Sequence, residues 1–354
     1  MKTGILTFPN STSHGAALQM FALCRAVEAL GHEAEIIHYQ NPYMAGRPSG
    51  VALARRVLHC RKYGAFRRFE AKLRRYPARL IREAEGLNTL ADRYNAVIFG
   101  SDQVWNPDIT GGDLSFFGRF CGSRTRRVAY APSFGLEALP EPFAQDTAEE
   151  LRKFHALSAR EAAGQQIVEN LTGQRAVLTC DPIFLLTAEE WAREEVPYPI
   201  PEDGYILYYT IKSSESLRSF CRSLSGRIGL PVLEVGGNLL NPAFRRAGLF
   251  RFAPDIGPGE WLYLLRRAAY VVTNSFHGTA FSVHFRKNFF VEYSSLTNSR
   301  LEHIVTTLGL KSRVVLPGGE PSLAPVDYAQ TERVLPELRA KSLDYLKQSL
   351  EETP

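Results

Sequence analysis

Short apolar runs alternate with longer stretches of helical hydrophobic period along almost the whole chain. Tyr270–Thr273 is typical of the apolar runs. Gly15–Leu30 is typical of the helical stretches, because its apolar side chains recur every three or four positions and Gly31 follows as a stop signal. Apolar runs that alternate with helices predict parallel strands buried on both faces. The pattern therefore predicts an α/β protein.

The predicted strands and helices follow one another from end to end. The predicted strands are Lys2–Phe8, Ala34–Tyr39, Ala96–Phe99, Arg127–Ala131, a short strand near Ala156–Ser158, Ala176–Thr179, Tyr205–Ile211, Val232–Val235, Tyr270–Thr273 and Asn288–Glu292. The predicted helices are Gly15–Leu30, Pro142–Phe154, Glu161–Leu171, Glu215–Ile228, Gly259–Ala268, one that begins at Thr279, Arg300–Leu308 and Thr331–Glu351.

The length of 354 residues exceeds one typical domain and suits two. A cluster of prolines between residues 187 and 202 predicts the boundary. We predict one Rossmann-like domain over residues 1–190, a second over 191–325, and a C-terminal helix over 326–354 that packs back on the N-terminal domain. Two such domains facing a central cleft would line it with the carboxyl ends of strands, where ligands bind in this architecture.

Composition narrows the class of protein. Hydrophobic residues make up 45% of the chain and charged residues 22%, which suits sizeable cores and excludes a disordered chain. The chain has no run of about 18 apolar residues, so we predict no membrane-spanning segment. Because the predicted strand Lys2–Phe8 begins at the N-terminus, we expect no signal peptide. The five scattered cysteines form no CxxC pair and no zinc spacing, which favours reduced, mostly buried thiols, no metal site and a cytoplasmic location.

The net charge of +5 is concentrated in one segment. Residues 51–82 contain eleven Lys or Arg and one acid, Glu70, and the remainder of the chain is net negative. One interpretation is a solvated amphipathic helix pair or surface segment, and the other is a basic surface for an anionic membrane or a phosphate-linked substrate. The aromatic residues of the segment fall at helical spacings and suit packing better than base stacking, so nucleic acid is not the favoured partner.

The strongest chemical signal follows the predicted strand Tyr270–Thr273, in the sequence Asn-Ser-Phe-His-Gly at 274–278. Because a helical pattern resumes at Thr279, His277 and Gly278 should lie where a strand ends and a helix begins. The first turn of a helix presents backbone N–H groups and positive dipole, which suit a phosphate or carboxylate. A histidine there can exchange a proton near neutral pH. The motif predicts an anion site with a proton donor.

Two loops in the first half carry further candidates. In the loop at 9–19, Asn10, His14 and Gly15 lie near another helix N-terminus, for which the alternative is an ordinary capped turn. The loop Gly100–Pro107 supplies an acid, amides and an aromatic ring, which suit sugar hydroxyls and an apolar sugar face. The alternative interpretation of this loop is a helix cap next to a tryptophan that belongs to the hydrophobic core. The candidates in this loop are Ser101, Asp102, Gln103 and Trp105.

Six motifs follow one another in order along residues 3–310. They are Asn10…Gly15-Ala16…Leu18-Gln19, Phe99-Gly-Ser-Asp-Gln-Val-Trp-Asn106, Ala131-Pro-Ser-Phe-Gly135, Ser158-Ala-Arg-Glu161, Cys180-Asp-Pro182 and Asn274-Ser-Phe-His-Gly278. Each motif alone is weak, but the ordered set resembles the polysaccharide pyruvyl transferase family. The resemblance implies a GT-B-like fold of two Rossmann-like domains, and transfer of the pyruvyl unit of phosphoenolpyruvate onto a sugar as a cyclic ketal.

The resemblance also implies roles by position. His277 is the acid near the donor, and Arg160 holds the donor. Asp102 and Gln103 belong to an acceptor-side loop, and Asp181 is mainly structural. The N-terminal domain is then the acceptor side and the C-terminal domain the donor side. Further donor contacts are expected from Asn274, Ser275 and Gly278 beside His277. Independently of the resemblance, Lys212 is expected to contact the donor because it directly follows a predicted strand, and Arg300 because it begins a predicted helix near the same edge. Further acceptor contacts are expected from Asn10, His14, Gly15, Ser101 and Trp105.

The expected partners are a small-molecule donor and a glycan acceptor, which belongs to a cell-surface polysaccharide or its lipid-linked precursor. Phosphoenolpyruvate is the expected co-substrate, and no cofactor is expected. Peripheral contact with an anionic membrane through residues 51–82 is a further hypothesis. The alternatives are a GT-B-type glycosyltransferase that uses a nucleotide sugar and a non-catalytic glycan-binding protein of the same fold. The second half shows no clear acidic contact for a ribose, which disfavours the glycosyltransferase.

Overall fold

The structure is a computed structural model that describes residues 1–9, 11–46, 59–73, 80–235, 250–293, 299–316 and 318–351. The candidate Asn10 lies outside the described residues, as do residues 51–58 and 74–79 of the basic segment.

The described chain alternates strands and helices, as the hydrophobic pattern predicts. The strands are β1 (Lys2–Leu6), β2 (Glu33–Ile36), β3 (Ala96–Phe99), β4 (Arg126–Ala129), β5 (Ser158–Ala159), β6 (Val177–Leu178), β7 (Ile206–Tyr209), β8 (Val232–Val235), β9 (Phe250–Ala253), β10 (Tyr270–Thr273) and β11 (Asn288–Val291). The α-helices are α1 (His14–Ala29), α2 (Pro42–Ala45), α3 (Cys60–Glu70), α4 (Ala84–Leu87), α5 (Pro107–Thr110), α6 (Glu141–Leu151), α7 (Ala162–Thr172), α8 (Ala188–Arg193), α9 (Glu215–Ile228), α10 (Pro258–Arg267), α11 (Phe276–His284), α12 (Ser299–Thr307) and α13 (Ala329–Glu351). Short 3-10 helices lie at Asn88–Leu90, Leu114–Phe117, Pro182–Leu185 and Lys311–Arg313.

The chain divides into two compact units. Unit 1 comprises Met1–Leu53, Glu70–Leu186 and Leu335–Pro354, and unit 2 comprises Ala54–Phe69 and Thr187–Val334. Unit 1 contains a four-stranded sheet in the order β2-β1-β3-β4 and a β5-β6 pair, and unit 2 contains a five-stranded sheet in the order β11-β10-β7-β8-β9. Every described strand pairing in these sheets is parallel. The protein is therefore α/β, with two Rossmann-like domains.

Each sheet reverses its strand order at one point. In unit 1 the reversal lies between β1 and β3, and in unit 2 it lies between β7 and β10. Ligands of open α/β sheets bind beyond the carboxyl ends of the strands at such a reversal. The segments that follow these four strands are therefore where each unit is expected to carry a site.

Helix α1 is buried around most of its circumference. It packs against β2 and against the 3-10 helix Pro182–Leu185. A helix that is buried on every side must be apolar on every side. The charged residues of α1, Arg25 and Glu28, lie near its end and pair with each other at 3.0 Å.

The C-terminal part of α13 packs within unit 1. Ser342 Oγ accepts a hydrogen bond from the Cys180 N–H (2.9 Å), and the Tyr345 hydroxyl donates to the Ala129 carbonyl (2.8 Å). Leu346 and Leu350 are fully buried. Although α13 has 23 residues, it is too polar to cross a bilayer, and no other helix of the described chain has the length and apolar character for it.

Some sequence predictions differ from the structure. The predicted strand Ala34–Tyr39 is too long, because β2 ends at Ile36 and Tyr39 forms an isolated parallel bridge with Ile81 instead. Strand β9 and the short helices α2, α4, α5 and α8 have no predicted counterpart. Helix α8 begins in the segment whose prolines suggest a linker, but Thr187 starts it with a capping box.

Candidate active site

A buried hydrogen-bond network joins the segments after β1 and β3 in unit 1. The Gln19 amide Nε2 donates to Thr7 Oγ1 (2.8 Å), and Thr7 Oγ1 donates to the Ser101 carbonyl (3.1 Å). The Ser101 N–H donates back to Gln19 Oε1 (3.3 Å). All three residues are fully buried, so this closed ring fixes the start of the Gly-Ser-Asp-Gln loop. Gln19 was not among the predicted site residues. Its signal is a polar amide in the middle of a helix whose charged residues lie near its end.

Gly100 allows β3 to end close to the segment that follows β4. Its φ is +130°, and a Cβ at this position would lie 2.2 Å from the Tyr130 carbonyl oxygen. Only glycine fits this backbone without a shift of one segment.

Replacing Gly100 with alanine should lower the free energy of unfolding by about 3 kcal/mol or more, because the backbone must move away from Tyr130 and an L-residue resists this φ. Gly173→Ala is the matched control. Its φ is +74°, but nothing lies within 4 Å of the added Cβ, so a loss of about 1 kcal/mol is expected. Urea denaturation of both variants measures the difference, and equal losses would contradict the close approach at Gly100.

Arg160 follows β5 and lies buried among three carboxylates. Its guanidinium is 2.8 Å from Asp181 Oδ2, 3.7 Å from Asp102 Oδ1 and 3.8 Å from Glu161 Oε2. Burial lowers the pKa of this guanidinium, but the three carboxylates together outweigh burial and leave the pKa raised. Arg160 therefore remains a cation. Together with the three carboxylates it forms a cluster whose net formal charge is negative.

Asp102 is the partly exposed member of this cluster. Its side chain is 14% exposed, whereas those of Asp181 and Glu161 are at most 1% exposed. Asp102 Oδ1 accepts a hydrogen bond from the Gln103 N–H (2.9 Å), and its carbonyl accepts one from the Ser133 N–H (2.9 Å). The carboxylate is thus held in place at the carboxyl edge of the sheet, where it can accept a proton from a hydroxyl group.

Several predicted acceptor contacts are buried in unit 1. Trp105 is 1% exposed, stacks on Phe117 with 5.3 Å between ring centroids, and donates its Nε1–H to the Phe116 carbonyl. The prediction that this ring covers a sugar face is wrong, because core packing surrounds it. The alternative interpretation, a core tryptophan, describes it correctly. Ser101 and His14 are also buried, at 0% and 3% exposure, so they support the loops from within.

The remaining acceptor candidates differ in exposure. Gly15 is buried in the first turn of α1, whereas Gln103 is half-buried. The Gln103 Oε1 accepts a hydrogen bond from Asn106 Nδ2 (3.0 Å). Among the described acceptor candidates, Asp102 and Gln103 are therefore the two with access to solvent at this edge.

In unit 2, Asn274 joins the segments that follow β7 and β10. Its Oδ1 accepts a hydrogen bond from the Ile211 N–H (2.9 Å), and its Nδ2 donates to the Lys212 carbonyl (2.8 Å). Asn274 is 7% exposed, so its amide serves the loop structure, while the side chain of Lys212 is exposed. The bonds fix the backbone of Lys212, which carries a basic side chain, beside the reversal point of the sheet.

Ser275 and Gly278 set the first turn of α11. Ser275 caps the helix by accepting a hydrogen bond from the Gly278 N–H (3.2 Å). A Cβ at Gly278 would lie 2.4 Å from Thr273 Oγ1 and 3.1 Å from a ring carbon of Tyr209. Gly278 therefore lets the helix start directly against the ends of β10 and β7.

His277 occupies the second position of α11, inside this first turn. It is 6% exposed, and its ring meets the Phe276 ring edge to face at 5.2 Å between centroids. The Arg300 guanidinium lies 5.9 Å from the centroid of the same Phe276 ring. This edge of unit 2 therefore gathers a helix N-terminus, an imidazole and basic side chains, a combination that suits an anion and a proton transfer.

Solved structures of similar fold include UDP-N-acetylglucosamine 2-epimerases. The Neisseria meningitidis enzyme bound to UDP-GlcNAc is 12% identical, with 99% of this chain and 98% of that chain covered and a TM-score of 0.54. The Methanocaldococcus jannaschii enzyme in complex with UDP-GlcNAc and UDP is 11% identical, with 100% and 94% covered and a TM-score of 0.51. Identities this low show the fold alone, which is GT-B-like.

Comparison with curated protein sequences gives no match. The family model for polysaccharide pyruvyl transferase, however, matches residues 14–295. The matched range includes Asp102 and Arg160 of unit 1 and the His277 turn of unit 2, so it covers both sites and most of the chain. The chain therefore belongs to the polysaccharide pyruvyl transferase family.

Proposed function

We propose that the protein transfers the pyruvyl group of phosphoenolpyruvate onto a sugar of a cell-surface polysaccharide, or of its lipid-linked precursor, as a pyruvate ketal. The observation that carries this proposal is the position of His277 in the first turn of α11, at the strand-order reversal of unit 2. Family membership supports a pyruvyl transferase.

Unit 2 offers the groups that a doubly anionic donor requires. Phosphoenolpyruvate carries a carboxylate and a phosphate, which cations and oriented N–H groups bind. The first turn of α11 supplies N–H groups, and Lys212 and Arg300 supply positive charge on adjoining segments. His277 lies in the same turn and is the acid for the donor's methylene carbon.

Unit 1 offers the groups that an acceptor hydroxyl requires. Asp102 is the base for the attacking hydroxyl, and Gln103 is a hydrogen-bond partner for the sugar. Arg160 takes a different role from the one implied by the resemblance. Because three carboxylates surround its buried guanidinium, the cluster does not attract a doubly anionic donor. Arg160 is instead a positioning residue that holds Asp102.

The proposed reaction needs one acid and one base. His277 protonates the methylene carbon of phosphoenolpyruvate, and an oxocarbenium-like centre develops at the neighbouring carbon. A sugar hydroxyl attacks that carbon and gives its proton to Asp102. A second hydroxyl of the sugar then displaces the phosphate from the same carbon, which closes the ketal, and the proton of this hydroxyl goes to the departing phosphate. The products are the pyruvylated sugar and inorganic phosphate.

With phosphoenolpyruvate and a panel of glycan acceptors, phosphate release is expected only from acceptors with two suitably placed hydroxyls, because ring closure needs both. A colorimetric phosphate assay measures release, and mass spectrometry of the glycan identifies the added pyruvyl group. Phosphate release that never yields a modified glycan would contradict transfer.

Ligand-induced thermal stabilisation separates this proposal from a nucleotide-sugar glycosyltransferase. A ligand that binds the folded state raises the melting temperature, so phosphoenolpyruvate should do so. UDP-GlcNAc is the comparison ligand, because solved structures of similar fold contain it. Stabilisation by UDP-GlcNAc alone would reverse the assignment in favour of the glycosyltransferase.

A further inference from the structure

Helix α3 and the residues beside it have one buried face and one basic face. Ala65, Phe66 and Phe69 are 3–5% exposed and form the inner face. The exposed side chains of the helix are Cys60, Arg61, Arg67 and Arg68. The acid of the helix, Glu70, is 7% exposed. The outer face therefore carries cations without an exposed carboxylate.

The inner face packs against the rest of unit 2, to which the helix belongs. A Cβ at Gly257 would lie 2.7 Å from the Ala65 Cβ, so the helix and the chain at Gly257 are in close contact. At the start of the helix, His59 Nδ1 lies 3.4 Å from Asp255 Oδ1. The arginines thus lie on a helix that is packed within unit 2. The orientation of the outer face is therefore fixed already in the absence of a binding partner.

The arginines of this face form a cluster without a neutralising carboxylate. No ion pair among the described residues engages Arg61, Arg67 or Arg68. Exposed arginines elsewhere are of both kinds: some face a carboxylate, as in Arg119–Asp146 (3.7 Å), Arg124–Asp92 (3.8 Å) and Arg222–Glu215 (2.9 Å), whereas others among the described residues do not. What distinguishes this face is that three such arginines lie on one short helix, and this concentration of positive charge suits an anionic partner.

We propose that this basic face, formed by Arg61, Arg67 and Arg68, binds the anionic surface of a lipid bilayer. Arg61 and Arg68 are seven residues apart, about 10 Å along the axis, and project from the same side of the helix. That arrangement suits a plane of headgroups. A nucleic-acid site would offer exposed aromatic rings for stacking, but Phe66 and Phe69 are buried. The proposal does not depend on pyruvyl transfer.

The test compares the parent protein with the triple variant R61Q/R67Q/R68Q. Vesicles of phosphatidylcholine with phosphatidylglycerol should sediment the parent protein, and vesicles of phosphatidylcholine alone should not. The triple variant should bind the anionic vesicles about a hundredfold more weakly, at roughly 1 kcal/mol per lost charge. Salt should weaken binding of the parent. The matched control, R124Q/R175Q/R333Q, removes three exposed arginines elsewhere and should bind like the parent.

Cys60 provides a second, direct readout. It is the exposed one of the five cysteines, and burial raises the pKa of the thiols of Cys24, Cys121, Cys180 and Cys221. An environment-sensitive fluorophore on Cys60 should shift to the blue with anionic vesicles and stay unchanged with neutral ones.

Four results would overturn the proposal: no vesicle binding by the parent, equal binding to neutral vesicles, unchanged binding by the triple variant, or an equal loss in the control variant. Tighter binding to duplex DNA than to anionic vesicles at the same salt would reassign the face to nucleic acid. Phosphate release with a soluble glycan acceptor should be the same in parent and triple variant. Failure of pyruvyl transfer and failure of membrane binding are thus separately visible.

Discussion

Replacement of His277 with asparagine is expected to lower kcat for phosphate release by roughly a hundred- to ten-thousandfold, the usual contribution of a general acid. The amide cannot protonate the methylene carbon of phosphoenolpyruvate. Binding of phosphoenolpyruvate should survive, because the N–H groups of the α11 first turn and the basic side chains near it remain. Steady-state kinetics and thermal stabilisation by phosphoenolpyruvate measure the two effects separately.

His284→Asn is the matched control, since His284 is the last residue of the same helix. It should keep kcat within about twofold, because nothing in the proposed mechanism uses this ring. Full activity of His277→Asn would remove the imidazole from the mechanism. An equal loss in both variants would mean that packing of α11, rather than acid catalysis, controls the rate.

Replacement of Arg160 with methionine is expected to destabilise the protein by about 3–5 kcal/mol, because it leaves buried carboxylates without their cation. Asp181 and Glu161 have side chains at most 1% exposed, and the Arg160–Asp181 contact is 2.8 Å. Urea denaturation followed by circular dichroism measures the loss. The double variant R160M/D181N should recover part of it, because one of the unpaired charges is then gone.

Arg124→Met tests whether any arginine would behave in the same way. The side chain of Arg124 is 84% exposed and faces Asp92 at 3.8 Å, so its removal should change the free energy of unfolding by less than about 1 kcal/mol. Comparable losses for Arg124→Met and Arg160→Met would contradict a buried electrostatic role for Arg160. So would a double variant no more stable than R160M alone.

Most of the fold could be predicted because hydrophobic periodicity reports burial directly. The apolar runs Ala96–Phe99 and Tyr270–Thr273 coincide with β3 and β10. A strand that is buried on both faces is mostly apolar, so such runs have few other interpretations. The hydrophobic pattern does not predict strand β9, because its sequence Phe-Arg-Phe-Ala lies at a sheet edge and lacks a continuous apolar run. The cysteines are also mostly buried, as predicted.

The candidate site was less predictable, because burial of a motif is decided by distant residues. The sequence around Trp105 reads the same whether its ring faces a ligand or the core, and only the neighbouring aromatic rings settle it. The three carboxylates around Arg160 include two from other segments, Asp102 and Asp181, which no spacing rule brings together. Helix α11 begins at Phe276 rather than Thr279, which places His277 inside the first turn.

The contribution of α13 to unit 1 constrains the order in which the protein can mature during translation. Residues 335–351 are synthesised after every strand of both sheets, yet Tyr345 and Ser342 complete hydrogen bonds to Ala129 and Cys180. Unit 1 therefore cannot complete its packing until the whole unit 2 sheet has emerged from the ribosome. Until then those backbone groups lack these partners, and the surface that Leu346 and Leu350 cover is exposed. Unit 1, which contains the first residues synthesised, thus completes its core after the strands of unit 2 have been synthesised.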